Sequence, residues 1–124
     1  MLFRSRDPLI AALDDPSPLM KGSAAEALGL IGDASAAPSI ARMAAAIVAD
    51  GALADIPSDA ADSTRDTPAA AFRLGIFALV RLKSFDALAS VVLDPSGQPR
   101  VKWWPVAFAL QRLEDRREIG RAHV

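Results

Sequence analysis

Apolar positions recur along this chain at helical rather than strand spacing. The clearest sign is a short pattern that occurs three times: Ala27-Leu28-x-x-Ile31, Ala78-Leu79-x-x-Leu82 and Ala109-Leu110-x-x-Leu113, each near the end of an Ala-rich run. Leu79 and Leu110 are 31 residues apart, and Leu28 and Leu79 are 51 apart. The excess of about 20 residues is close to the length of a polar stretch at 51–67, which therefore reads as an insertion into a regular array.

Start and stop signals place six helices on this period. Asp7-Pro8 opens a first helix over Leu9–Leu13, with Asp as cap and Pro in the first turn. Ser17-Pro18 opens a second that Gly32-Asp33 ends. A third is predicted from about Ala36 to Asp50, with Ile40, Met43, Ala44 and Ile47 on one face and Gly51 as its stop. Pro57, Ser58, Ser63, Thr64 and four aspartates (Asp55, Asp59, Asp62, Asp66) make 51–67 a polar, at most lightly ordered loop. Thr67-Pro68 opens a fourth helix, to about Leu82; a fifth covers Ser84 to about Leu93. Asp94-Pro95-Ser96-Gly97-Gln98-Pro99 is a turn, and the last helix runs from about Trp103 to Glu114. Each unit is thus helix A, turn, helix B.

Aligning the three B helices separates two kinds of position. Ala24/Gly75/Val106, Ala25/Ile76/Ala107, Ala27/Ala78/Ala109, Leu28/Leu79/Leu110 and Ile31/Leu82/Leu113 stay small or apolar, as packing positions must. Gly22/Arg73/Trp104, Glu26/Phe77/Phe108 and Leu30/Arg81/Arg112 vary, and lie at i, i+4 and i+8 on one face. Arg73, Phe77, Arg81, Trp104, Phe108 and Arg112 are therefore the candidate partner-binding residues, since arginine and tryptophan are enriched at binding hot spots. A cation–π pair between Arg73 and Trp104 is one expected contact. The same columns also fit a plainer arrangement, with Phe77 and Phe108 in the core and the arginines solvated. In Trp103-Trp104-Pro105, Pro105 suits a first helical turn. Trp103 is expected to pack on the preceding helix, while Trp104 belongs to the variable face.

Composition supports an all-α fold. Of the 124 residues 52% are hydrophobic, much of that alanine, and only 6% are aromatic. A net charge of −1 argues against nucleic acid as a partner. The longest apolar run, Ile76–Val80, falls far short of the roughly 20 residues that span a bilayer, so no membrane contact is expected. With no cysteine there are no disulfides and no thiolate metal sites.

Both ends carry a foreign signature. Met1-Leu2-Phe3-Arg4-Ser5 resembles the translation of a common sequencing-library adapter. Ile119-Gly120-Arg121-Ala122-His123-Val124 resembles the same adapter read outward on the opposite strand. The expectation is a window, from about Arg6 to Glu118, onto a longer environmental sequence. Without Arg4 and Arg121 the balance is 12 basic to 15 acidic residues, and the only histidine, His123, drops out of consideration.

Asp7-Pro8-Leu9-Ile10-x-x-Leu13-x-Asp15-Pro16 followed by Ala24-Ala25-Glu26-Ala27-Leu28-Gly29-x-Ile31-Gly32-Asp33 resembles a HEAT-like repeat of the short type named after phycobilisome lyases. The likeness is looser in the later units, where Leu93-Asp94-Pro95 and Ala109-Leu110 persist. The resemblance implies a right-handed α-solenoid of about three helix pairs, with B helices lining a concave surface. It also implies a scaffold for protein–protein interaction, in this instance part of a larger bacterial protein. An alternative is the non-catalytic repeat segment of an enzyme such as a bilin lyase or a prolyl isomerase. No cofactor and no catalytic residue is implied. The aspartates of the loop lack the order of a calcium-binding EF-hand, Ser23, Ser39 and Ser90 have no histidine partner, and Gly29-Leu30-Ile31-Gly32 lacks a phosphate-binding spacing. Arg112, Arg116 and Arg117 are neutralised by Glu114, Asp115 and Glu118. The last B helix should present an apolar face that a further repeat would cover, so self-association through it is expected.

Overall fold

The computed structural model describes the backbone of residues 6–61 and 66–122 and the side chains of residues 7–61 and 66–116. The terminal segments 1–5 and 123–124, and residues 62–65 of the insertion (with Asp62, Ser63 and Thr64), lie outside the described residues. Six helices account for the fold: α1 (Arg6–Ala12), α2 (Pro18–Ile31), α3 (Ala37–Ala49), α4 (Pro68–Arg81), α5 (Phe85–Val92) and α6 (Trp104–Ala122). Among the described residues there is no strand, only an isolated antiparallel bridge between Leu93 and Pro99. The protein is all-α.

The predicted caps work as their chemistry requires. Ser17 Oγ accepts from the Met20 N–H at 3.3 Å and Thr67 Oγ1 from the Ala70 N–H at 3.0 Å, in each case with proline in the first helical turn. Gly32 closes α2 in the left-handed conformation, φ 84°, and its N–H returns to the Leu28 carbonyl. Asp33 Oδ1 accepts from both the N–H and the hydroxyl of Ser35. This holds a 3-10 turn over Ala34–Ala36 that takes up the first residue expected of α3. The turn after α5 is organised by Asp94, whose carboxylate accepts from Ser96 Oγ at 2.6 Å, Ser96 N at 2.8 Å and Gln98 N at 3.0 Å. The Ser96 hydroxyl bond first, then the Gln98 amide, hold this carboxyl below its ordinary value. The last helix outruns its expected end at Glu114. Its added turn is tied to α5 by Arg116, whose guanidinium stands 5.2 Å over the Phe85 ring and 3.9 Å from Asp86.

Packing follows the alternation of A and B helices. α1 packs on α2, α3 on α4, and α5 on α6; α4 lies between α2 and α6, and α3 lies beside α5. The even-numbered helices therefore form one row and α3 with α5 another. Close approach in the even row depends on glycine. A Cβ placed on Gly29 would stand 3.0 Å from Ala78 Cα, and one on Gly22 would stand 2.9 Å from Leu74 Cδ1. The core between the rows holds Leu28, Ile40, Phe72, Ile76, Leu79, Leu88 and Val92, and among the described residues no polar or charged side chain is buried.

Two expectations are corrected. Ile31, aligned with packing positions, is 52% exposed, on the side of α2 away from the Gly22/Gly29 face that meets α4. The stretch after α3 is not a freely solvated loop. Residues 51–61 form successive turns, Leu53 is 2% exposed within the core, and Ile56 packs against it. An apolar side chain in a polar stretch gains by burial like any other, on the order of 2 kcal/mol for leucine.

Candidate functional site

The insertion positions α6. The Ser58 carbonyl accepts from the Trp104 backbone N–H at 2.9 Å, and the Ala60 carbonyl accepts from both indoles, Trp103 Nε1 and Trp104 Nε1, each at 3.0 Å. Indole N–H groups seek an acceptor when their rings are buried or half-buried, and one carbonyl with two lone pairs serves both. Trp103 is 1% exposed. Its ring lies 6.3 Å from that of Phe72 on α4 and 6.0 Å from that of Trp104, between centroids. Trp104 is 38% exposed and stands 6.1 Å from Phe77.

On the face that the variable columns define, Phe77 of α4 meets both Trp104 and Phe108 of α6. The Phe77–Phe108 pair is edge-to-face, 5.3 Å apart at 82°. The cation–π geometry differs from the expected Arg73–Trp104 pair. Arg73 lies over Phe77 at 5.6 Å and Arg112 over Phe108 at 5.3 Å. Each contact joins residues four apart on one helix, which reach one another without any adjustment between helices. Arg112 also meets Asp115 at 3.4 Å, an exposed pair that contributes little to stability. Arg81 is exposed at the rim, with no ion pair among the described residues.

All six candidates thus stand on the α4/α6 side of the even row, with Phe77 and Phe108 half-buried and the aromatic cluster at the centre. An open groove of about 310 Å³ runs between Phe77, Val80, Arg81 and Phe108. Val80 was not among the candidates; its column, Gly29/Val80/Gln111, varies as much as the three chosen and was the available signal. The Ser58 and Ala60 carbonyls leave no trace in side-chain pattern. Among the described residues, no group of three or more His, Cys, Asp or Glu is placed to hold a metal ion, and no helix is long and apolar enough to cross a membrane. No protein family, curated protein or solved structure matches the chain.

Proposed function

We propose that this chain is a protein-interaction module, a segment of α-solenoid built from three HEAT-like helix pairs, which binds a short acidic partner segment in the α4/α6 groove. The solenoid reading is supported by the packing order, in which each helix neighbours its hairpin partner and each B helix neighbours the next. The functional reading rests chiefly on one observation. Phe77, Trp104 and Phe108 form a half-exposed aromatic cluster flanked by Arg73, Arg81 and Arg112. An apolar floor with a cationic rim suits a partner that offers one apolar or aromatic side chain between carboxylates. The arginines are pre-organised where they stack on the rings, which reduces the entropy lost on binding.

The test uses fluorescently labelled 12-residue peptides with a central Phe or Leu, flanked either by Asp/Glu or by Lys/Arg, read by anisotropy. Acidic peptides should bind, more weakly as salt is raised, and the double variant Arg73→Glu/Arg81→Glu should bind them at least about tenfold more weakly with its helicity unchanged. Equal binding of the basic series, or indifference to the double variant, would overturn the reading.

A further inference from the structure

The cations of the α4/α6 face are unevenly spread along it. Phe77 meets Trp104 and Phe108, while Phe108 shares the groove with Val80 and Arg81, so α4 and α6 run in the same direction. Arg73 stands toward the end where both helices begin, and Arg81 closes α4 at the other. Past Arg81 the surface opens into a second notch of about 290 Å³ between α5 and α6, lined by Lys83, Phe85, Arg112, Asp115 and Arg116. Arg112 joins the two hollows, since its guanidinium lies over the Phe108 ring of the groove and also borders the notch.

The notch sets three cations against one carboxylate. Its ion pairs are loose: Arg112 meets Asp115 at 3.4 Å and Arg116 meets a fully exposed Asp86 at 3.9 Å. Exposed pairs of this kind contribute little and exchange readily for another carboxylate. Arg116 is placed instead by the Phe85 ring, 5.2 Å beneath it, which pre-organises its charge.

Lys83 supplies a separate observation. Its φ of 57° is the one positive value at a non-glycine among the described residues. The Ser84 N–H returns to the Leu79 carbonyl across it, a helix-end geometry for which glycine is the usual residue. Gly32 and Gly51 take the positive φ after α2 and α3. A lysine in the left-handed region is strained where a glycine is not. A cation standing where glycine would be more stable points to a use for its charge.

We infer that the acidic partner segment, whose place in the groove rests on the reading above, carries a second group of carboxylates on one side of its apolar residue, and that this group seats against Lys83, Arg112 and Arg116. Arg112 and Arg116 lie one and two turns past Phe108, about 6 and 12 Å along α6. An extended chain covers that distance in about two to four residues. The hollow beside Trp104 offers no equivalent, with Lys102 as its single charged residue. The ligand therefore has a direction.

Labelled peptides with a central Leu between two Glu residues test this by anisotropy against the 124-residue chain. A further Glu pair stands three and four residues before the Leu, three and four after it, or is absent. The two paired peptides carry equal charge, yet one should bind about fivefold more tightly than the other. Lys83→Gly should remove most of that difference and leave the pairless peptide unaffected. It should also keep or raise the melting temperature, which loss of a merely structural lysine would not do. Arg116→Gln should remove the remainder with helicity kept. If no peptide binds, the groove reading fails and the direction with it. Peptides that bind equally with the pair on either side, or a difference that survives both substitutions together, would overturn this inference alone.

Discussion

Replacing Trp103 with alanine is expected to lower the free energy of unfolding by about 4 kcal/mol, within the range for deleting a large buried aromatic. The side chain is 1% exposed, packs on Phe72 of α4 and donates from Nε1 to the Ala60 carbonyl. Its removal leaves a cavity where α4, the insertion and the start of α6 converge. The Ala60 carbonyl keeps a donor in Trp104, so the loss is mainly one of packing. Trp103→Phe separates the two contributions: it preserves a ring against Phe72, gives up the hydrogen bond, and should cost about half as much. Urea unfolding followed by far-ultraviolet circular dichroism measures both. Against a total stability of about 5–15 kcal/mol for a domain of this kind, a loss of that size is a large fraction.

Gly29→Leu is expected to destabilise by about 3 kcal/mol, at the upper end for overpacking a tight interface. A Cβ alone would stand 3.0 Å from Ala78 Cα and 3.1 Å from Ala78 Cβ, and backbone cannot step aside as a flexible side chain can. The larger side chain must push α2 and α4 apart, and that separation also loosens the contacts of Gly22 with Ala71 and Leu74. Leucine has the better helix propensity by somewhat under 1 kcal/mol, which offsets only part of the cost. The matching substitution Ala46→Leu, on the exposed face of α3, should change stability by less than about 0.5 kcal/mol. Thermal and urea unfolding of the two variants side by side isolates the close approach from the change of residue type.

Much of the fold was legible in the residues because local and long-range signals agree. Ser17-Pro18 and Thr67-Pro68 start helices, and Gly32 and Gly51 follow helix ends. The face bearing Arg73, Phe77 and Arg81 beside Trp104, Phe108 and Arg112 was legible as well, since i, i+4, i+8 spacing fixes a helix face regardless of what covers it.

What escaped was tertiary. Composition marks 51–67 as polar, yet Leu53 is in the core and the Ala60 carbonyl takes two indole donors. A backbone carbonyl has no sequence signature, although two adjacent tryptophans each needing an acceptor were a hint. The Arg73 guanidinium lies over Phe77 because a neighbour one turn away on the same helix is within reach before any helix packs. Ile31 is exposed, unlike its counterparts Leu82 and Leu113, because a repeat position is buried only if a neighbour stands on that side.

The central claim is that the α4/α6 face is the binding surface, and nuclear magnetic resonance tests it most directly. A ¹⁵N-labelled chain titrated with the acidic peptide is predicted to show its largest shifts at the Trp104 indole N–H and at the amides of Arg73, Phe77, Arg81, Phe108 and Arg112. The amides of Ala45 and Ala46, on the exposed face of α3, should move little. Shifts concentrated on α3 and α5, or no shifts at saturating peptide, would contradict the account.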